Sequence, residues 1–260
     1  MKVRTQVDGI LHEWELVSKV FTGFPEAGPS IQARKVFNAI GSLGWTICSL
    51  PENFVTAIAW RISRIMERLA LPSFPLADYH KFVDEITHFQ VIEFVRELRF
   101  KDLECDPFLL QVHFSELLGI ELNPVIAGLD QDHVQLRIVR PMSTDFNPPH
   151  RDSYLTYYEN VVNVWVPICV TPCSIMPVCN FSHLWPESEI TRTAPGEAKI
   201  GGNKYRVPAV TMHKLRELKM IRPKILPDQC LVFSPYLIHG FGLNKTSTTR
   251  FALELRFGVN

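Results

Sequence analysis

Residues 250–257 read RFALELRF, and this octapeptide sets the reading of the chain. Alternation predicts a strand with Arg250, Ala252, Glu254 and Arg256 on one face and Phe251, Leu253, Leu255 and Phe257 on the other. An arginine opening an inward-facing strand must find an anion or remain costly to bury. Eleven residues upstream lies His239, after the apolar run LVFSPYLI and directly before Gly240. His239 in turn follows His150 by 89 residues, and His150 belongs to the stretch PPHRD at 148–152.

Other short runs share the alternating character. In HVQLRIV (133–139), Val134, Leu136 and Ile138 fall on one face and Gln135 and Arg137 on the other. VVNVWVPI (161–168) puts Asn163 and Trp165 on one face, and CLVF (230–233) is a further strand. Before Asn123 the pattern is helical. Residues 51–70 space Phe54, Ile58, Ile62, Ile65 and Leu69 by three and four, and Pro51 and Glu52 suit a helix start. Residues 77–100 repeat that spacing with Phe82, Ile86, Phe89, Ile92, Val95 and Leu98. Asp106-Pro107 signals a third helix, running through Leu118. Helices first and strands later predict an α+β fold. Its expected form is one domain over 1–260, with a mainly helical 1–120 packed on a β core at 121–260.

Composition narrows the function classes. Twenty-seven Lys/Arg balance twenty-seven Asp/Glu, which gives no electrostatic case for nucleic acid or a membrane surface. No apolar run is long enough to span a bilayer, and the N-terminus lacks a signal-peptide core. Six cysteines without a Cys-x-x-Cys pair read as reduced thiols, so a cytoplasmic protein is expected. Charge is segregated, however. Residues 101–191 hold four Lys/Arg and twelve Asp/Glu, whereas 192–224 hold nine Lys/Arg and two Asp/Glu. With Gly196, Gly201 and Gly202, that basic stretch reads as part of a long connection over 185–226. It is either a solvated loop or a lid drawing in an anionic substrate.

His150, Asp152 and His239 are candidate metal ligands. Two histidines and one carboxylate form a facial triad, which leaves the opposite face of an octahedron free for exchangeable ligands. Arg250 could clamp a carboxylate through paired hydrogen bonds. Zinc with a bound water, as in a metallohydrolase, is an alternative use of the same three residues, though it leaves Arg250 without a role.

The C-terminal half resembles the phytanoyl-CoA dioxygenase family of Fe(II)/2-oxoglutarate oxygenases. The resemblance rests on PPHRD (148–152), NVWVPI (163–168), FSH (181–183), DQCLVFSPYLIHG (228–240) and Arg250. It implies a double-stranded β-helix (jelly-roll, cupin-like) core over roughly 123–257. It also implies Fe(II) held by His150, Asp152 and His239, with 2-oxoglutarate held by Arg250. Trp165 would line the co-substrate pocket, and Gln135 is a further candidate contact. The reaction implied is O2-dependent oxidation of a small molecule, with anionic or carrier-linked metabolites among the candidates, and release of succinate and CO2. The chain departs from the family pattern at Asn180-Phe181-Ser182-His183 and at Pro227. His183 is expected to be a turn residue, not a ligand. An intact Asp152 points to hydroxylation or another hydrogen abstraction over halogenation. A jelly-roll binding protein without turnover is the other alternative.

Overall fold

A computed structural model describes residues 1–24 and 28–260. The first half contains β1 (Lys2–Val7), β2 (Ile10–Glu15), β3 (Val20–Thr22), α1 (Ile31–Ile40), β4 (Trp45–Ser49), α2 (Phe54–Arg68), α3 (Tyr79–Phe82), α4 (Glu85–Val95) and α5 (Pro107–Leu118). The second half is built from β5 (Leu122–Asn123), β6 (His133–Val139), β7 (Val161–Cys169), β8 (Ile190–Thr193), β9 (Ala198–Ile200), β10 (Asn203–Tyr205), β11 (Val210–His213), β12 (Arg216–Met220), β13 (Gln229–Phe233) and β14 (Arg250–Val259).

Two curled, largely antiparallel sheets form a jelly roll, giving an α+β fold. The major sheet runs β4-β13-β7-β14-β5, with β6 also paired to β14. The minor sheet runs β2-β1-β12-β11-β8-β3. Alternation decides what each face of the major sheet meets. Leu136, Val164, Leu253, Leu255 and Phe257 point outward into one apolar cluster with Ile58 and Ile62 of α2, Val91 of α4 and Phe114 of α5. The opposite face carries Trp165, Arg250, Glu254 and Arg256, all buried inside the roll.

Local chemistry sets the helices. Asp106 Oδ1 accepts from the Phe108 amide, Pro107 occupies the first turn, and Gly119 closes α5 in the left-handed region. The single helix expected over 77–100 is instead broken. Val83 is extended, and Asp84 caps a new helix by accepting from the Thr87 amide at 2.7 Å.

Two larger expectations are corrected. The first 120 residues are not only helical, because β1, β2 and β3 belong to the minor sheet and β4 edges the major one. Asp8-Gly9, with φ of 51° and 81°, makes the tight turn between β1 and β2, which is a strong hairpin signal. The basic stretch 192–224 is not a bare connection either. β8, β11 and β12 are strands of the minor sheet, and β9 and β10 form a small hairpin. No cysteine is in a disulfide. No helix of the described residues is long and apolar enough to cross a membrane.

Candidate metal centre and anion pocket

His150 and His239 meet through paired backbone hydrogen bonds of 2.9 and 3.0 Å. This two-way bridge brings their rings to 4.3 Å between centroids. Each ring is oriented by the backbone carbonyl two residues before it. Nδ1 of His150 lies 2.8 Å from the Pro148 carbonyl, and Nδ1 of His239 lies 2.9 Å from that of Leu237. A carbonyl can only accept, so in both rings the proton belongs on Nδ1 and the Nε2 lone pair is free. Both Nε2 atoms face Asp152, at 3.4 Å from Oδ1 for His150 and 3.8 Å from Oδ2 for His239. The three donor atoms lie within 4.8 Å of one another and all three residues are buried.

Gly240 makes this possible. Its φ is +108°, and a Cβ there would stand 2.6 Å from the Pro148 carbonyl and 3.1 Å from Nδ1 of His150. Any side chain would push the first histidine off its orienting carbonyl.

Asp152 is ionised despite complete burial. Desolvation opposes the charge, but the Arg256 guanidinium beside it outweighs that and holds its carboxyl well below the usual range. Arg256 is the principal partner, donating from Nη2 to Oδ2 at 2.8 Å. Its guanidinium also lies over the Tyr158 ring at 4.5 Å. His239, desolvated and next to His150, has its pKa lowered to about 4, which keeps it neutral and ready to ligate.

Arg250 opens the same inward face and is 6% exposed. Its Nη1 donates to the carbonyls of Ser174 (2.9 Å) and Gly242 (3.1 Å), while Nε has no hydrogen-bond partner among the described residues. A Cβ at Gly242 would occupy the place of this guanidinium, so a larger residue there would displace Arg250 from its present position. Desolvation lowers the Arg250 pKa to about 10, the mark of a cation without a close counter-ion. One cavity is lined by Arg250, Trp165, Arg137, Glu254 and both triad histidines. Within it Arg137 is neutralised by Glu254, whose Oε1 is 3.0 Å from Nε.

The structure therefore brings His150, Asp152, His239, Arg250 and Trp165 to one place. Gln135 lies on the inward face of β6 opposite Glu254 but does not line the cavity; Arg137, two residues on, does. His183 sits in a buried 3-10 turn outside the triad.

Two functional residues escaped sequence reasoning. Arg256 shares its face with Arg250, and that face was the available signal. Arg151, the middle residue of His-x-Asp, points away from the metal side. It is buried, with Nη1 at 2.7 Å from Glu187 and Nη2 donating to the carbonyls of Ser182 and Trp185. Glu187 also accepts from Arg192 at 2.9 Å. Alternation alone puts the middle residue opposite its neighbours, and a buried charge there must be paired.

No protein-family model and no curated sequence matches the chain. Among solved structures it is similar to EctD from S. alaskensis with bound Fe (15% identity, 94% of this chain and 84% of that one, TM-score 0.49). It is also similar to AviO1 from Streptomyces viridochromogenes Tue57 (15%, 90% and 96%, TM-score 0.47). A third is EvdO2 from Micromonospora carbonacea var. aurantiaca complexed with 2-oxoglutarate (15%, 93% and 94%, TM-score 0.44).

Proposed function

We propose that this chain is a non-haem iron(II) oxygenase of the phytanoyl-CoA dioxygenase type, oxidising a small molecule with O2 and 2-oxoglutarate and releasing succinate and CO2. The observation that carries this reading is the meeting, in one cavity, of two free imidazole Nε2 atoms next to a buried carboxylate with an arginine that has no counter-anion among the described residues.

The residues fit the group. His150, Asp152 and His239 supply two nitrogens and one oxygen, the donor set suited to iron(II). Charge makes the same case for the co-substrate. Inside the roll, Arg137, Arg250 and Arg256 meet Asp152 and Glu254 among the described residues, and Asp145, which also lines the cavity, is paired with Arg140. A divalent metal adds to that positive excess, and a dicarboxylate offsets it. Arg250 receives the far carboxylate, because it is the cation left without an acidic partner among the described residues. Trp165 gives the cavity an apolar wall that excludes water around the pair, which strengthens it. Iron(II) with the 2-oxo acid and O2 supplies the oxidising power for an unactivated C–H bond. The protein orients the donors, holds Asp152 ionised and keeps His239 neutral. A zinc hydrolase would use the triad but leave the Arg250 charge buried and unmatched.

The test is an anaerobic titration of metal-free protein with Fe(II) and then 2-oxoglutarate, monitored for a visible metal-to-ligand charge-transfer band. A saturable band that disappears in His150→Ala supports the reading. Bound iron without a band rejects the co-substrate, and absence of metal binding rejects the enzyme.

A further inference from the structure

Arg256 holds Asp152 with one nitrogen and is itself held from two further sides. Its Nη2 donates to Oδ2 of Asp152 at 2.8 Å. Its Nη1 meets Nε2 of His133, the cross-strand neighbour at the start of β6. The Tyr158 ring lies 4.5 Å from the guanidinium carbon, and Tyr158 Oη stands 2.9 Å from Nδ1 of His133. His133 and Tyr158 therefore brace the arginine that braces a triad residue, and neither of them lines the anion cavity.

Donor chemistry orders this chain. A guanidinium can only donate, so Nε2 of His133 accepts and the ring proton is on Nδ1, which donates to Tyr158 Oη. Burial and the adjacent Arg256 push the His133 pKa well below 6.5, in keeping with an uncharged ring. The kind of acceptor matters. A carboxylate in this place would compete with Asp152 for the arginine's charge. An uncharged imidazole takes the Nη1 hydrogen and leaves that charge to Asp152. Only Oδ2 of Asp152 is bonded by the arginine; Oδ1 faces Nε2 of His150 at 3.4 Å. The carboxylate thus has one oxygen committed to the protein and one turned to the histidines.

We infer that His133, locked by the Tyr158 hydroxyl, is a positioning residue of the metal centre: it fixes the Arg256 guanidinium on one oxygen of Asp152 and so keeps the other aimed at the metal. The inference rests on the metal-binding part of the function proposed above and is independent of the co-substrate. His133 touches none of the ligands; it acts through Arg256, as outer partners of a ligating carboxylate do.

The experiment compares wild type, His133→Phe, His133→Gln and Tyr158→Phe. Fe(II) affinity is read by anaerobic calorimetry and ligand geometry from the visible spectrum of the Co(II)-loaded protein, and each variant is also melted without metal. Phenylalanine keeps a ring and lacks the acceptor; glutamine returns an acceptor near the place of Nε2. Fe(II) affinity is expected to be roughly 10–100-fold weaker in His133→Phe, the usual cost of losing an outer partner of a metal ligand, with an altered Co(II) spectrum. His133→Gln should recover affinity and spectrum together. Wild-type affinity in His133→Phe overturns the inference. So does affinity that merely tracks melting temperature across the variants with an unchanged Co(II) spectrum, since that is a structural role. If His133→Phe does not fold, wild-type affinity and spectrum in Tyr158→Phe overturn it. In all three cases the proposed function stands. A wild type that binds neither Fe(II) nor Co(II) overturns the proposed function and this inference together.

Discussion

Arg250 and Arg256 lie on one face of one strand, six residues apart, both buried, and their surroundings treat them in opposite ways. Arg256 donates to Asp152 and lies 3.6 Å from Glu254, so its charge is matched and its pKa is driven up despite desolvation. Arg250 has two backbone carbonyls and an unpartnered Nε, and desolvation lowers its pKa. The contrast separates two uses of a buried cation. On the function proposed above, the first would hold a metal-ligating carboxylate in place and the second would keep a charge ready for a ligand.

Removing the matched arginine is the harshest way to test this. Arg256→Leu leaves Asp152 buried and unpaired, and we expect about 3–5 kcal/mol lost from the metal-free protein in urea unfolding. Saturating Fe(II) should restore part of it, since a cation replaces the one removed. An equal loss in Arg250→Leu would erase the distinction. For Arg250→Leu, we expect metal-free stability unchanged or increased, because an uncompensated buried charge is gone. Its affinity for 2-oxoglutarate, read from the charge-transfer band, should fall roughly 10–150-fold, equivalent to about 1.5–3 kcal/mol for a charge-assisted hydrogen bond. Unchanged affinity would move the clamp to another cation, with Arg137 the next to test.

Gly240→Ala sharpens the comparison from the metal side. The positive φ and the approach to Pro148 and His150 predict about 1–3 kcal/mol of destabilisation and weaker Fe(II) binding, with Arg250 undisturbed. A different kind of effect is expected on acid stability. Burial holds both His183 and His239 at about 4, against 6.5 when free. Between those values the unfolded chain takes up protons that the folded chain refuses. Stability should therefore fall as pH drops through that window and be insensitive to these two groups above it. Urea unfolding at several pH values measures the slope, and His183→Gln should make it shallower. An unaltered slope would exclude His183 as a contributor.

The major sheet was legible because its strands obey a simple alternation, with Leu136, Val164 and Leu253 outward against helices that the 3-4 spacing had already marked. The minor sheet was not. In β12 only Leu218 and Met220 are buried while Arg216, Glu217 and Lys219 face solvent, so a short half-charged strand reads as a basic loop. β1 escaped for a similar reason: Val3, Thr5 and Val7 alternate with Lys2, Arg4 and Gln6, so half of this short strand is polar and only three residues are buried. The break at Val83 was hidden because α3 and α4 have matching apolar spacing on either side of it.

The sequence by itself determined the donor types of the metal centre and the face of β14 on which Arg250 lies. These depend on residue chemistry and on a period of two, and both are local. The ligands expected at strand ends sit instead in isolated bridges and a 3-10 turn beyond them. Only the tertiary structure decided which arginine is matched, that Arg151 ties the metal loop to Glu187, and that the amide of Asn163 is left unpartnered. Neutralisation and hydrogen-bond satisfaction are properties of pairs. Asp152 and Arg256 are separated by 104 residues, a distance closed only when the sheet forms.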